Sequence, residues 1–254
     1  MSWLTRWQAW REQRLIAKHP IPDALWAATL ARFPFLPADE PRLRSMCSLF
    51  LATREFHGVG ELQVSDAMAV AVAAQACLPV LALGLGVYGR SRGIVMHAGE
   101  VVAPREDVDD FGVVHTWEEP LAGEAMPGGP VMLTWDAVDW NDDGGPVFNV
   151  VIHEFIHLID LANGEADGIP PLPDADAMRR WHDGLTLAWD RFADRVAHRE
   201  PSCIDDYGTR ALDEFFAVAS EAFFVDPRAL RAEDPALYAQ LAGFFRQDPA
   251  AHRP

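Results

Sequence analysis

The segment NVVIHEFIHLIDLANG, residues 149–164, constrains the fold more than any other part of the sequence. Its two histidines stand four residues apart, so a helix would present both imidazoles on one face. The remaining positions are mostly apolar, which indicates a helix buried on most sides. Burying two histidines and a glutamate without partners would cost several kcal/mol. We therefore predict a buried helix whose one polar face, formed by His153, Glu154 and His157, surrounds a ligand.

The HExxH pattern in HEFIH makes that ligand a metal ion. Zinc accepts imidazole nitrogen at about 2.0–2.1 Å, and a catalytic zinc site keeps one position open for water. Glu154 directly follows the first histidine, so its carboxylate can reach such a water without binding the metal. Zinc lowers the pKa of its water to about 7, and a carboxylate can then accept the proton at neutral pH. The pattern predicts one Zn²⁺ per chain, with His153 and His157 as ligands and Glu154 as general base.

A third ligand must come from elsewhere, and the residues alone leave three carboxylates open. Asp160 lies on the same helix face as His157, where it better suits a carboxylate that orients a ligand histidine. The segment YGTRALDEFFAVASEAFF, residues 207–224, reads as a second apolar helix. It carries Glu214 and Glu221, which are seven residues apart and therefore share a face.

Composition and charge exclude several classes of function. The chain has 21 Lys and Arg against 38 Asp and Glu, a net charge of −17. Without a basic stripe, direct nucleic-acid binding through phosphate neutralisation is not expected. Three cysteines, Cys47, Cys77 and Cys203, are far apart and form no CxxC pair. A disulfide framework is therefore not expected, and a reducing, cytoplasmic location is.

One uncharged stretch, Ala67–Tyr88, is long enough to span a membrane. Alanine and glycine make up nine of its 22 residues, and Pro79 interrupts it near the middle. Ser65 or Asp66 could cap a helix that ends near Cys77. We predict a buried helix followed by a strand, and no membrane partner; a membrane span is the alternative.

The order of elements indicates an α+β fold. Apolar periodicity predicts helices before and after a middle region of strands, and Asp23 could cap one of the first helices. Near the metal helix, Pro146 suits the first turn and Asn163-Gly164 the end. Without an internal repeat or a linker, we expect one compact domain, residues 1–254. Its helical N-terminal part would cover about 1–78 and its catalytic core about 79–247. The predicted strands are a hairpin of 93–97 and 100–103, then 111–117 and 130–135.

HEFIHLID, followed about 50 residues later by YGTRALDEFFAVASEAFF, resembles the Mlc titration factor A family of bacterial metallopeptidases. The upstream pieces AAQACLPVLALG and GPVMLTWDAV extend the resemblance over most of the chain. A more distant similarity is to the catalytic domain of anthrax lethal factor. The resemblance implies a zincin-like fold with a small mixed or antiparallel sheet. It implies the ligands His153, His157 and Glu214; the spacing on the second helix keeps Glu221 as the alternative for the third position. It also implies Glu154 as base and Tyr207 as a hydrogen-bond donor to the oxyanion of a tetrahedral intermediate.

The function that follows is zinc-dependent hydrolysis of a peptide or protein, of the aminopeptidase type by resemblance. An edge strand beside the metal helix, 111–117 or 130–135, could hold the substrate backbone as an added strand. The resemblance also implies that family members bind and inactivate Mlc, a glucose-responsive transcription repressor. Two alternatives stay open: a non-catalytic regulatory binding protein that retains the zinc site, and a zinc hydrolase of non-peptide substrates.

Overall fold

The computed structural model describes residues 3–37, 41–89, 91–99, 101–108, 114–139 and 145–251. Within these ranges the chain is mixed α+β, as predicted. The α-helices are α1 (Trp3–Lys18), α2 (Asp23–Arg32), α3 (Pro41–Thr53), α4 (Asp66–Cys77), α5 (Trp135–Val138), α6 (Val150–Asp160), α7 (Ala175–Ala197), α8 (Leu212–Val225), α9 (Pro227–Glu233) and α10 (Pro235–Phe245). The strands are β1 (Glu55–Gly58), β2 (Gly93–His97), β3 (Val101–Val108), β4 (Val114–Leu121), β5 (Gly123–Ala125) and β6 (Val131–Thr134).

The strands form a small mixed sheet and a separate ribbon. The sheet has the order β1-β2-β6-β5; β1, β2 and β6 are parallel, and β5 runs antiparallel to β6. All four residues of β6 are buried, as in a parallel strand covered on both faces. The ribbon pairs β3 with β4 in antiparallel register, from Val101 opposite Leu121 to Val108 opposite Val114.

The predicted hairpin of 93–97 and 100–103 is wrong. Ala98-Gly99 resembles a tight turn, but β2 lies inside the sheet between two parallel neighbours, β1 and β6. Its apolar residues Ile94 and Met96 are fully buried there. Because both edges of β2 are already paired, the chain leaves the sheet after it and enters the ribbon. Two further strands, β1 and β5, were not predicted from the sequence, and they are only four and three residues long.

The other two predicted strands correspond to observed ones. The 130–135 segment forms β6, except that Trp135 already begins α5. The 111–117 segment overlaps β4, and residues 111–113 lie outside the described part of the chain. Strand β6 has no free edge, since it lies between β2 and β5. Strand β4 pairs with β3 in the ribbon and is not part of the sheet whose strands β5 and β6 contact α6.

The uncharged stretch forms a buried helix, as predicted for its first half. Ser65 Oγ accepts a hydrogen bond from Met68 N at 3.3 Å and caps α4, nine of whose twelve residues are buried. The strand predicted after Pro79 does not form. The chain makes turns there and a 3₁₀ helix, Leu85–Tyr88, because the hydroxyl of Tyr88 donates to the carbonyl of Ala76 and folds this segment back onto α4. Among the described helices, none has both the length and the apolarity to cross a bilayer.

Helix α6 lies at the centre of the fold. It contacts α4 and α8 and packs on the β5–β6 side of the sheet. Phe155 anchors it, with its ring 4.9 Å from Tyr88 and 5.7 Å from Phe50, centroid to centroid. This packing fixes which face of α6 turns toward α8, and that face carries the two histidines.

Candidate metal centre

An asparagine sets the start of α6. Asn149 Oδ1 accepts a hydrogen bond from Ile152 N at 2.9 Å, the standard arrangement of an N-cap. Its amide also donates to Gln75 Oε1 of α4 at 2.7 Å. The expected first turn at Pro146 is therefore wrong, because the cap holds the helix start at Val150. Asp23, proposed above as a cap for α2, is instead that helix's first residue.

Three side chains from two helices converge beside α6. His153 Nε2 lies 3.1 Å from His157 Nε2, and Glu214 Oε2 of α8 lies 3.1 Å and 3.3 Å from these two nitrogens. All three side chains are only partly exposed, at 13–21%. These are the three metal ligands that the resemblance implies, and the fold brings them together.

The spacing of these atoms fits a tetrahedral metal ion. Zinc–nitrogen and zinc–oxygen bonds of about 2.0–2.1 Å place two ligand atoms of a tetrahedron about 3.3–3.4 Å apart. The three observed separations are 3.1–3.3 Å. Three atoms at one face of such a tetrahedron leave its fourth corner for water or substrate. The donor set, two imidazoles and a carboxylate, is also the one that suits zinc.

Glu221, the other candidate for third ligand, lies behind His153. Its Oε1 is 2.7 Å from His153 Nδ1, and its Oε2 accepts a hydrogen bond from the backbone N–H of Asn149. A proton held on Nδ1 leaves the Nε2 lone pair free for a metal. Glu221 therefore occupies the position of a carboxylate that orients a ligand histidine. Asp160, also considered for that role, instead accepts a hydrogen bond from Gly168 N at 2.9 Å.

The electrostatics of the cluster favour a bound cation. Burial raises the pKa of Glu214, but hydrogen bonds to His153 and His157 outweigh burial and lower that pKa to about 2. Burial lowers the pKa of His153, yet hydrogen bonds to Glu214 and Glu221 hold it well above 6.5. Glu214 is thus an anion at neutral pH. Its negative charge can be balanced by a proton on a neighbouring histidine or by a metal ion between the three side chains.

Glu154 lies between α6 and the edge strand of the sheet. It is 5% exposed, and its carboxylate accepts a hydrogen bond from the backbone N–H of Ala125 in β5. Burial raises the pKa of Glu154. A glycine makes this close approach feasible, because a Cβ on Gly123 would stand 2.6 Å from Glu154 Cγ and 2.8 Å from Val150 Cγ2.

Tyr207 and Arg210 border the cluster on the side of α8. The ring of Tyr207 lies 6.0 Å from that of His153, centroid to centroid, and Arg210 Cζ is 4.2 Å above the Tyr207 ring. Four residues at or near the site were not predicted from the sequence as functional: Arg210, Asn149, Gln75 and Gly123. Two of these carry a signal that could have been used. An asparagine just before an apolar helical run is a typical N-cap, and Gln75 is the one strongly polar residue within an apolar stretch.

Asp160 gives the buried region a measurable pH dependence. It is completely buried, and burial raises its pKa to about 6, whereas an unfolded chain has about 3.9. A raised pKa means that the neutral acid stabilises the fold below pH 4 and that this contribution is lost as the pH rises through 6. Asp160→Asn stays neutral and keeps an acceptor for Gly168. We expect its free energy of unfolding, relative to wild type, to increase by up to about 3 kcal/mol between pH 4 and pH 7.

Urea unfolding at several pH values measures this difference. Asp190→Asn is the matched control, since Asp190 lies on α7 and its side chain is exposed. A difference between Asp160→Asn and wild type that stays constant across the range would contradict the prediction.

Comparisons with known proteins place the chain in a family. The model of the family described as glucose-regulated metallo-peptidase M90 matches residues 7–246. The chain is 32% identical over 222 residues to Mlc titration factor A of Pectobacterium atrosepticum, covering 86% of this chain and 83% of that protein. It is 33% identical over 248 residues to Mlc titration factor A of Edwardsiella ictaluri, covering 94% and 92%. The protein of the same name from Serratia proteamaculans is 33% identical over 235 residues, covering 90% and 88%.

The resemblance stated from HEFIHLID and the Tyr207 segment is thereby confirmed over most of the chain. A metallopeptidase family implies a divalent metal, and His153, His157 and Glu214 form a group that could hold one. This chain belongs to the glucose-regulated metallo-peptidase M90 family.

Proposed function

We propose that this protein is a zinc-dependent peptidase with a zincin-like catalytic domain. The convergence of His153 Nε2, His157 Nε2 and Glu214 Oε2 is the observation that carries the proposal. These would be the protein ligands of one zinc ion, and Glu221 would hold His153 in the tautomer that binds. When bound, zinc would polarise a substrate carbonyl and make a water molecule acidic at neutral pH.

Glu154 is the proposed general base. It would take a proton from the attacking water and pass it to the leaving amine. Its raised pKa supports the role, since a base acts best when its pKa approaches the working pH. The hydrogen bond from Ala125 N leaves the second carboxylate oxygen for the water. Tyr207 is proposed to donate its phenolic hydrogen to the oxyanion of the tetrahedral intermediate, because its ring borders His153.

Strand β5 is the proposed site of the substrate backbone. It is an edge strand of the sheet, where its described partner is β6, and Gly123 and Ala125 lie against α6 beside Glu154. An extended peptide could add to this edge through main-chain hydrogen bonds. Of the two segments considered from the sequence, 130–135 forms β6, which is paired on both edges, and the described part of 111–117 belongs to the β3–β4 ribbon.

Gly123→Ala tests this arrangement. The added Cβ would meet Glu154 Oε1 at 2.7 Å, so the base or the strand must move. A displacement of about 1 Å costs about 10²-fold in rate, and we expect turnover to fall by that factor with zinc content unchanged. Gly243→Ala in α10, where a Cβ meets open space, is the control and should keep full turnover. Equal turnover of Gly123→Ala and Gly243→Ala would contradict the proposal that β5 is part of the catalytic site.

The peptidase proposal itself is tested by metal analysis combined with a peptide assay. Protein purified without chelator should contain about one zinc per chain, and a chelator should abolish hydrolysis until zinc is returned. The aminopeptidase type rests on the resemblance alone. Peptides with free and with acetylated amino termini distinguish it, because an aminopeptidase cuts only the former. Absence of both bound zinc and hydrolysis after zinc addition would contradict the proposal.

A second function is proposed from the relatives' name. All three relatives above are called Mlc titration factor A, and two of them align over at least 90% of this chain. We therefore propose that this chain also binds an Mlc-type repressor. Purified repressor should be retained by immobilised Glu154→Gln protein, which would separate binding from cleavage. Failure of the wild-type protein and of Glu154→Gln to retain it would refute this second function and leave the peptidase proposal intact.

A further inference from the structure

Helix α1 exposes three tryptophans on one face. Trp3, Trp7 and Trp10 are 74%, 48% and 51% exposed, and they lie within about 60° of one another around the helix axis. Large apolar side chains in such a cluster mark an interaction surface more often than a plain exterior. The helix contacts α3, and its partly buried residues Leu15 and Ile16 lie off the tryptophan face.

The same face is cationic. Arg11 Cζ lies 4.8 Å from the centroid of the Trp7 ring, and Arg14 Cζ lies 4.7 Å from that of Trp10. Lys18 falls on this side of the helix, whereas the helix's one acidic residue, Glu12, is about 140° from Trp7. The helix as a whole has four cationic residues against one acidic residue, a net charge of +3 in a chain of net charge −17.

This combination fits an anionic lipid surface. An indole has an apolar body and a polar N–H, and it prefers the headgroup level of a bilayer. Guanidinium and ammonium groups on the same face attract lipid phosphates. The rest of the chain is acidic and would be repelled, so the attraction has to be local to α1. A helix with tryptophan on one side and arginine and lysine beside it is typical of segments that lie in the interface.

We propose that α1 docks this protein on an anionic bilayer surface. Trp3, Trp7 and Trp10 would insert at the headgroup level, while Arg11, Arg14 and Lys18 bind lipid phosphates. The residues of this surface lie on α1, whereas those of the metal cluster lie on α6 and α8. The proposal replaces the expectation from the sequence that the chain has no membrane partner, because peripheral docking needs no spanning segment.

Vesicle co-sedimentation of the full chain tests the proposal. The probes are vesicles of equimolar phosphatidylglycerol and phosphatidylcholine, compared with phosphatidylcholine alone. We expect binding to the anionic vesicles and little to the neutral ones. The triple variant Trp3→Ala, Trp7→Ala, Trp10→Ala and the double variant Arg11→Glu, Arg14→Glu should each reduce the partition coefficient at least about tenfold.

Matched controls separate the face of α1 from general effects. Leu187→Ala removes another exposed apolar side chain, 59% exposed on α7, and Arg179→Glu with Arg180→Glu reverses two charges elsewhere. Both controls should bind like the wild-type chain. Equal binding of wild type to both kinds of vesicle, or unchanged binding of the triple variant, would overturn the proposal. The proposal would also be overturned if light scattering showed a dimer for the wild-type chain and a monomer for the triple variant, since a second copy would then cover this face.

Discussion

Glu154→Gln is expected to lower turnover by about 10²–10⁴-fold while the variant keeps one zinc per chain. Glutamine has nearly the same shape and can still accept the hydrogen bond from Ala125 N, so the packing of β5 on α6 persists. It cannot take a proton from water, which removes the proposed general base. Steady-state hydrolysis of a peptide and metal analysis of the same preparation measure the two effects.

The matched control is Glu165→Gln, an exposed glutamate in the loop that follows α6. This variant makes the same chemical change, eight residues after His157 in the sequence, and should leave turnover unchanged. Full activity of Glu154→Gln would assign the base elsewhere. Loss of zinc from Glu154→Gln would instead mean that Glu154 is a metal ligand and not the general base.

The metal helix was predictable because its signal is local. The spacing of His153 and His157 fixes their common face once a helix forms, and the surrounding apolar residues require that helix to be buried. The second apolar helix and the glutamates on its face were visible in the same way. Spacing alone, however, could not distinguish Glu214 from Glu221. Seven residues apart on α8, they share a face, and the difference lies in where α6 crosses that helix.

The sheet was less predictable because its pairing is not local. β1 and β5 are too short to show a period, and they are strands only because β2 and β6 offer them edges. The turn at Ala98-Gly99 suggested a hairpin, yet β2 is apolar on both sides and pairs with strands that are distant in sequence. This part of the fold includes β5, so the proposed substrate strand could not be named from the sequence.

Glu214→Ala is expected to reduce zinc affinity by about 10²–10⁴-fold. A structural zinc ion contributes about 10–16 kcal/mol of binding free energy, so one of three protein ligands accounts for about 3–5 kcal/mol. Competition with a chromogenic chelator measures the affinity. Thermal unfolding gives a second readout, because zinc at a thousand times its dissociation constant stabilises the wild-type fold by about 4 kcal/mol, and at the same zinc concentration this gain should fall to about 1.4 kcal/mol or less in the variant.

Glu221→Gln is the comparison that decides between the two glutamates. Glu221 accepts one hydrogen bond on each oxygen, from Asn149 N and from His153 Nδ1, whereas an amide has a single acceptor. Glutamine must leave the Asn149 N–H unpaired or present its own N–H to His153, which favours the wrong tautomer. Loss of a carboxylate that orients a ligand histidine typically lowers metal affinity by about 10–100-fold. We therefore expect a smaller loss of zinc affinity in Glu221→Gln than in Glu214→Ala. Asp213→Asn, which removes the carboxylate next to Glu214 in the sequence, is the control and should leave the zinc affinity unchanged. A larger loss of zinc affinity in Glu221→Gln than in Glu214→Ala would make Glu221 the third ligand.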